Sequence, residues 1–291
     1  MHFALVNNYR VEAQPELKGL CSCCSKPVVA KCGTKKIWHW AHKIKTDCDK
    51  WWEPETEWHR TWKNNYPPDW QEISLPNERT GEKHIADVLT VHNLVLEFQH
   101  SHIDPQERIS REQFYKNMVW VVDGTRLKRD YPRFLKCKKN CFENTIFYNT
   151  DKPKIFRVDY IDWCFPSNWL ESSVPVIFDF RGDGTLDDPE GMRNSLYCLF
   201  PQVERYARVV EISFKAFINA TTNGEWTLRV NEFINDFRKQ DEIERKEQQK
   251  TMPHSSNKIK YTWRGIPLIG GSKEFRKRHS ESNKSYRKGR R

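Results

Sequence analysis

Two apolar segments separated by a short turn constrain the fold of this chain more than any other feature of its sequence. Residues 83–90 and 94–100 are rich in apolar side chains and predict two adjacent, buried strands. Asp87 lies in the first segment, and Glu97 and Gln99 lie in the second. Side chains of a strand alternate between its two faces, so Glu97 and Gln99 share a face. Because a buried carboxylate without a partner is costly, the hairpin predicts a polar site within a sheet.

The length of the turn decides whether the two acids meet. A three-residue loop over 91–93 places Asp87 opposite Glu97, whereas a two-residue turn places Asp87 opposite Phe98. Asn93 tolerates the left-handed conformation that the longer loop requires. Facing carboxylates repel each other unless a cation lies between them, and Mg²⁺ or Mn²⁺ is the natural choice for oxygen ligands.

A helix is predicted before this hairpin and another after it. The first begins at Pro54 and carries Glu55, His59 and Lys63, which are spaced by four residues and therefore share one helix face. This spacing is also common on solvated helix faces.

The second helix begins after Asp104, a favoured N-cap residue, and ends near Asn117. Arg111 and Tyr115 are spaced by four residues on it, so they either bind a phosphate or pack and pair. The apolar residues 118–122 that follow predict a buried strand, and so do the apolar residues 174–180. Residues 36–40 also predict a strand, and Asn223-Gly224 predicts a turn.

The first fifty residues carry closely spaced cysteines and histidines. Cys21-x2-Cys24 and His39-x2-His42 are followed by Cys48. Zinc takes four nitrogen or sulfur ligands in a tetrahedron, and two close pairs joined by a loop supply them. Cys21 and Cys24 are the firmest ligands, and the other three residues compete for the two remaining places. We expect a structural zinc site.

The other cysteines give a weaker signal. Cys137-x3-Cys141 is a second close pair, with Cys164 and Cys198 much further along the chain. A second metal site is one interpretation, but reduced thiols near the core are favoured.

The net charge of +10 is concentrated at one end of the 291 residues. Residues 258–291, including Lys277 and Arg278, hold 12 Lys or Arg and 2 Asp or Glu, so the remaining residues balance. Basic tails commonly bind nucleic acid through phosphates, although a solvated tail without a partner has the same composition. No segment has the length of a membrane span or the pattern of a signal peptide, so a cytoplasmic protein is expected.

These patterns together predict four regions. They are a zinc-binding module over 1–50, a core over 51–200, an accessory hairpin and helix region over 201–250, and a basic, flexible tail over 251–291.

The ordered set of motifs resembles the competence protein CoiA-like family. The resemblance covers about residues 1–125 and rests on the Cys and His motifs, Glu55, His59 and Lys63, and Arg111 with Tyr115. It also rests on the segments Ile85-Ala-Asp-Val88 and Leu96-Glu-Phe-Gln-His-Ser101. It implies an α/β (α+β) fold of the PD-(D/E)XK restriction-endonuclease-like type, a mixed sheet flanked by helices with an N-terminal zinc-binding module.

The resemblance further implies a metal-dependent nuclease that acts on DNA in uptake, recombination or defence against foreign DNA. Asp87 and Glu97 would then hold Mg²⁺ or Mn²⁺, Gln99 would orient water, and Glu55 would assist. His59 and Lys63 would position phosphate or transfer protons. Arg111, Tyr115, Lys277 and Arg278 would contact the nucleic acid.

One position departs from the wider nuclease superfamily. Gln99 stands where a lysine is usual, so Lys63 is expected to supply the missing positive charge. Two other functions are compatible with the sequence: a non-catalytic DNA-binding factor built on an inactive nuclease fold, and a protein-interaction factor.

Overall fold

A computed structural model describes residues 1–44, 48–77, 80–146, 154–158, 160–182, 191–202 and 206–251, together with the backbone of 260–261 and 267–268. The chain divides into two compact units, residues 1–241 and 242–291. Of the described helices, none is both long enough and apolar enough to cross a membrane.

The strands of the first unit, numbered in chain order, are β1 Phe3–Val6, β2 Tyr9–Glu12, β3 Lys18–Leu20, β4 Pro27–Lys31, β5 His39–His42, β6 Gln71–Pro76, β7 Lys83–Leu89, β8 Val95–Gln99, β9 Met118–Asp123, β10 Phe142–Ile146, β11 Lys154–Val158, β12 Val176–Asp179, β13 Ser195–Leu199 and β14 Ala207–Ser213. The second unit contains β15 Lys260–Tyr261 paired with β16 Pro267–Leu268.

The helices are α1 Glu57–Lys63, α2 Pro105–Tyr115, α3 Asp130–Cys141, α4 Phe214–Thr222 and α5 Glu225–Thr251. Short 3-10 helices cover Pro68–Trp70, Ile161–Trp163, Ser167–Trp169 and Met192–Asn194.

The N-terminal module is a small antiparallel sheet. Within the described residues its five strands have the order β2-β1-β3-β4-β5. It encloses a core of its own around Ala4, Val28 and Trp40. A strand was predicted over residues 36–40, but the last strand begins at His39.

The larger sheet joins nine of the described strands in the order β10-β11-β14-β13-β12-β9-β8-β7-β6. The central strands β8, β9 and β12 are parallel, and the pairs outside them are antiparallel. The expected mixed sheet flanked by helices is therefore present. Only β7, β8, β9 and β12 were predicted from sequence, because the other strands lack a clear apolar period.

Both faces of the large sheet are buried, and strand alternation divides its side chains between two cores. Trp120 of β9 packs on one face with Tyr115 of α2 and Phe134 of α3. Val121, the next residue of β9, packs on the other face with Trp62 of α1 and Phe217 of α4. Strands covered on both sides lose the alternating polar pattern, which explains the continuous apolar run at 118–122.

The first helix begins later than predicted. Its N-cap is Thr56, whose side chain accepts a hydrogen bond from the backbone of His59, while the side chain of His59 accepts one from the backbone of Thr56. This capping box makes Glu57 the first helical residue, so Glu55 precedes the helix. The prediction of a start at Pro54 is therefore wrong.

The region after residue 206 continues the sheet and then becomes helical. Strand β14 leads into α4, and the turn predicted at Asn223-Gly224 separates α4 from α5. Gly224 has a φ of 83°, which a residue with a side chain adopts only with strain.

Candidate functional site

The hairpin β7–β8 has the register of the three-residue loop. Val88 pairs with Leu96, and Asn93 adopts a φ of 59°. Continuing this register places Asp87 opposite Glu97. The backbone N–H of Asp87 donates to Glu97 Oε1 at 3.2 Å, which confirms that the two acids meet.

The hairpin acids line a cavity of about 60 Å³ between the large sheet, α1, α2 and the end of the N-terminal module. The charged and titratable residues that line it are Asp49, Glu53, Glu55, His59, Lys63, Glu72, Asp87, Glu97 and Arg111. Six carboxylates around so small a space are a strongly cation-attracting arrangement.

Lys63 lies among three of these carboxylates. Its Nζ is 2.8 Å from Glu55 Oε1, 3.1 Å from Glu72 Oε1 and 3.6 Å from Asp87 Oδ1. Burial alone would lower the pKa of Lys63, but the three acids raise it above its ordinary value. Burial opposes the ionisation of Glu72 too, and Lys63 nevertheless lowers the pKa of Glu72 to about 2. The lysine is therefore held charged inside the protein.

The surroundings of Glu97 disfavour its charged form, in contrast to those of Lys63. Burial, followed by the charge of Asp87, raises the pKa of Glu97 to about 8. Arg111 opposes this shift, because its Nη1 donates to Glu97 Oε2 at 2.9 Å. The guanidinium of Arg111 also donates to the carbonyl of Trp51 at 2.6 Å. One arginine thus does not fully offset the negative charge at this pair of acids.

Gln99 connects the hairpin to a second group of side chains. Its Nε2 donates to Glu53 Oε2 at 3.2 Å, and Glu53 Oε1 lies 3.0 Å from His59 Nε2. The amide Oε1 of Gln99 is buried and has no hydrogen-bond partner among the described residues. An unpartnered buried oxygen is unfavourable without a ligand, so this atom can accept from a water or face a cation.

The side-chain oxygens around the cavity are of the kind that a hard divalent cation prefers as ligands. Carboxylate oxygens are ligands that Mg²⁺ and Mn²⁺ prefer, and Asp87 and Glu97 supply them from adjacent strands, while Gln99 reaches the cavity through its hydrogen bond to Glu53. A divalent charge would also favour the ionised form of Glu97.

A second constellation lies in the N-terminal module. Ligand atoms of Cys21, Cys24, His42 and Cys48 all lie within 4.8 Å of one another, so the cluster could hold a metal such as zinc. The Sγ atoms of Cys21 and Cys48 are 3.6 Å apart, and Cys24 Sγ is 3.3 Å from His42 Nε2. Sulfur ligands of a tetrahedral zinc lie about 3.8 Å apart, so three thiols and one imidazole fit this ion.

His39 is outside this cluster because it lies on a strand. Residues three apart on a strand point to opposite faces, and β5 contains both His39 and His42. His39 Nδ1 instead lies 2.9 Å from the carbonyl oxygen of Ile37. Of the five candidate ligands, the structure thus brings four together.

Asp49 links the two constellations. It follows Cys48 directly, and its carboxylate lies 2.9 Å from His84 Nδ1 and accepts from the backbone N–H of Ile85 at 2.7 Å. Ile85 is two residues before Asp87 on β7. The metal-binding end of the N-terminal module is therefore bonded to the strand that carries a candidate site acid.

The remaining candidate residues are placed as follows. Glu55 reaches Lys63 from the segment before α1. Arg111 and Tyr115 are both buried, so neither is exposed to a polymer at the surface. Lys277 and Arg278 lie outside the described residues. Sequence reasoning missed Glu53, Glu72 and Asp49, because each is a single acid without a spaced partner.

The later cysteines form a third group. The sulfur atoms of Cys137 and Cys164 come together, which fits either a disulfide or the second metal site that the sequence left open. The sulfur of Cys141 lies within 4.8 Å of both. Cys198 is a buried thiol, as predicted.

The fold and site define an α+β protein, in which an N-terminal sheet whose Cys and His residues could hold a metal adjoins a mixed sheet with an acidic cavity. Two family models match such a chain: competence protein CoiA, N-terminal domain, over residues 10–50, and competence protein CoiA, nuclease-like domain, over residues 82–163. These two matches support a competence protein CoiA-like family for the chain. No curated protein matches the chain, and no solved structure does.

Proposed function

We propose that this protein is a metal-dependent nuclease that hydrolyses DNA phosphodiester bonds, with its active site in the acidic cavity. The observation that carries the proposal is the meeting of Asp87 and Glu97 across β7 and β8, beside the unpartnered oxygen of Gln99. All three residues lie within the match to the nuclease-like domain. A nuclease-like domain also indicates a role with nucleic acid in competence.

Each residue of the cavity has a defined task in this proposal. Asp87 and Glu97 hold Mg²⁺ or Mn²⁺, with Glu55 assisting. When bound, the ion supplies an activated water and stabilises charge on the phosphate. Gln99 accepts a hydrogen bond from the attacking water through Oε1. His59, whose Nε2 lies 3.0 Å from Glu53, takes part in proton transfer.

Lys63 replaces the lysine that position 99 lacks. A buried, charged amine 3.6 Å from Asp87 stabilises negative charge at the cavity without depending on the pH of the solution. Arg111 positions Glu97 and is not a surface contact for the polymer. The basic residues after 258 supply affinity for phosphates that is sensitive to salt and independent of sequence.

The Cys21, Cys24, His42 and Cys48 cluster is proposed to hold a structural zinc ion. Four protein ligands complete a tetrahedron and leave no open position for catalysis. The cytoplasm, where thiol ligands remain reduced, is the proposed location.

A non-catalytic DNA-binding factor is the second candidate. It is favoured by Lys63, which already neutralises acids of the cavity and so reduces their need for a metal ion.

Cleavage of single- and double-stranded DNA with Mg²⁺, Mn²⁺ or EDTA distinguishes the two functions. We expect metal-dependent cutting by the wild type, and its loss in both Asp87→Ala and Glu97→Ala. Asp69→Ala, which removes an exposed acid far from the hairpin in sequence, is the matched control and should cut normally. DNA binding without cutting under every metal condition would instead support the non-catalytic factor.

A further inference from the structure

A groove of about 230 Å³ lies next to the acidic cavity and is termed here the strand-end groove. It is lined by the ends of β8 and β9, the beginning of α3 and residues 164–169. Gln99 lines the groove, and its amide donates to Glu53 of the cavity, so the two spaces meet at this hydrogen bond. The carboxyl ends of parallel strands are a common place for ligands.

One side of the groove is basic. Arg126, Arg129 and Arg133 line it, and none of the three is fully buried. Arg126 and Arg129 make no ion pair with any described residue, whereas Arg133 pairs with Asp130 at 3.3 Å. Asp123 and Asp130 also line the groove, but Asp123 pairs with His100 and Asp130 pairs with Arg133. Arg126 and Arg129 therefore remain available to an anion, and a phosphate is the anion that an adjacent nuclease site would present.

Two exposed aromatic rings lie shortly before Cys164 in the chain, just outside the residues that line the groove. Tyr160 and Trp163 are 64% and 61% exposed, and their rings stack with centroids 4.9 Å apart. Cys164, the next residue, lines the groove, and its sulfur lies against that of Cys137 in α3. The segment with the aromatic pair thus packs against the helix that carries Arg133.

A surface that binds single-stranded DNA combines two components, which are exposed aromatic rings and unpaired cations. Bases stack on aromatic side chains while cations bind the phosphates, and every base has a face that can stack. A duplex keeps its bases stacked on one another, so it cannot place one on Trp163 without opening. The volume of the groove also suits a nucleotide-sized group and is too small for a duplex.

We propose that the strand-end groove binds a single-stranded segment of DNA that continues from the cleavage site, with phosphates on Arg126 and Arg129 and a base stacked on Trp163. The inference rests on the proposed function and extends it, because it assigns a preference for single-stranded or unpaired substrate ends.

Binding can be measured separately from cutting in the full chain carrying Asp87→Ala. The probe is a fluorescein-labelled oligothymidylate, alone or annealed to oligodeoxyadenylate, followed by anisotropy without added Mg²⁺ or Mn²⁺. Adding Trp163→Ala should weaken binding of the single strand roughly tenfold, because stacking one base contributes on this order, and should leave the duplex nearly unchanged. Trp163→Phe retains an aromatic face and should restore much of the affinity.

Two further variants complete the design. Arg126→Ala with Arg129→Ala should reduce the slope of log affinity against log salt by about 0.7 for each cation. Trp38→Ala is the matched control, because Trp38 is also exposed but belongs to the N-terminal module.

Equal single-strand binding by Trp163→Ala and its parent would overturn the inference, as would an equal loss for single strand and duplex. If the wild type nevertheless cut DNA in a metal-dependent way, these results would exclude only the role of the groove in binding single-stranded DNA. The proposed nuclease function would stand. A wild type that neither binds nor cuts DNA would exclude the proposed function as well.

Discussion

At the scale of single residues, the ionisation of Glu97 would control how well the cavity binds the proposed cation. Its pKa is raised to about 8 by burial and by Asp87, so the carboxyl is mostly protonated below that pH. A metal ion must displace this proton. We therefore expect Mn²⁺ affinity to rise about tenfold per pH unit below about pH 8 and to level off above it.

Titration calorimetry with Mn²⁺ across this range tests the expectation. Glu97→Gln cannot ionise, so its weaker binding should lose the pH dependence, while Asp69→Asn should behave as the wild type. Affinity that is constant between about pH 6 and 8 in the wild type would contradict the assigned role of Glu97.

Lys63 offers a second test at this scale. Its ammonium group is buried against Glu55, Glu72 and Asp87, so Lys63→Met leaves buried negative charges without their partner. We expect the free energy of unfolding to fall by about 3–5 kcal/mol at neutral pH, measured by urea denaturation. Lys215→Met, at an exposed position of α4, should change it by less than about 0.5 kcal/mol. A similarly small change for Lys63→Met would show that the buried charges are not coupled as described.

The same residues show what sequence could and could not predict. Asn93 indicated the three-residue loop, because the left-handed conformation is accessible to few side chains, and so Asp87 and Glu97 were correctly placed face to face. Glu53 and Glu72 were missed because only the folded chain brings them to the cavity. Thr56 caps the first helix, and the preference for proline at a first helical position led to the wrong start at Pro54.

At the scale of elements, the N-terminal module and the large sheet are bonded where the candidate site lies. Asp49 binds the backbone of β7, and Glu72 of β6 accepts hydrogen bonds from the backbone N–H groups of His2 and Phe3. Through these links a change in the N-terminal module would reach two strands that line the cavity. The separate spacing patterns in the sequence gave no indication of such contacts.

Removing the metal from the Cys21, Cys24, His42 and Cys48 cluster should therefore loosen β7. Once Cys48 is released, Asp49 loses its fixed position and the amide of Ile85 loses its acceptor. We expect faster hydrogen exchange at Ile85 after chelation, with the amides of β14 unchanged, and a parallel loss of cutting when Mg²⁺ is restored. Unchanged exchange at Ile85 in the metal-free protein would contradict this coupling.

At the scale of the whole molecule, the described half beyond residue 130 mainly completes the sheet. Strands β10, β11, β13 and β14 extend it beyond β12, and α4 and α5 cover one of its faces. Sequence analysis did not order this region, because short strands that lie far apart in the chain pair without leaving a local pattern. The candidate site and the strand-end groove both lie at the parallel strands, which the apolar runs did predict.

The charge of the molecule is unevenly distributed, because the excess of ten positive charges falls within residues 258–291. If these residues bind phosphates, Lys277→Ala with Arg278→Ala should reduce the salt slope of duplex DNA binding by about two, since each neutralised phosphate contributes about 0.9. Anisotropy at several salt concentrations measures this slope.

Lys215→Ala with Arg238→Ala is the control. It removes two exposed cations from α4 and α5 and should leave the salt slope nearly unchanged. Cutting at low salt should persist in the tail variant, because none of the cavity residues is altered. If both pairs of substitutions reduced the salt slope equally, duplex binding would depend only on the net charge of the protein. If the tail pair left the slope unchanged, the phosphates would be bound by other parts of the protein.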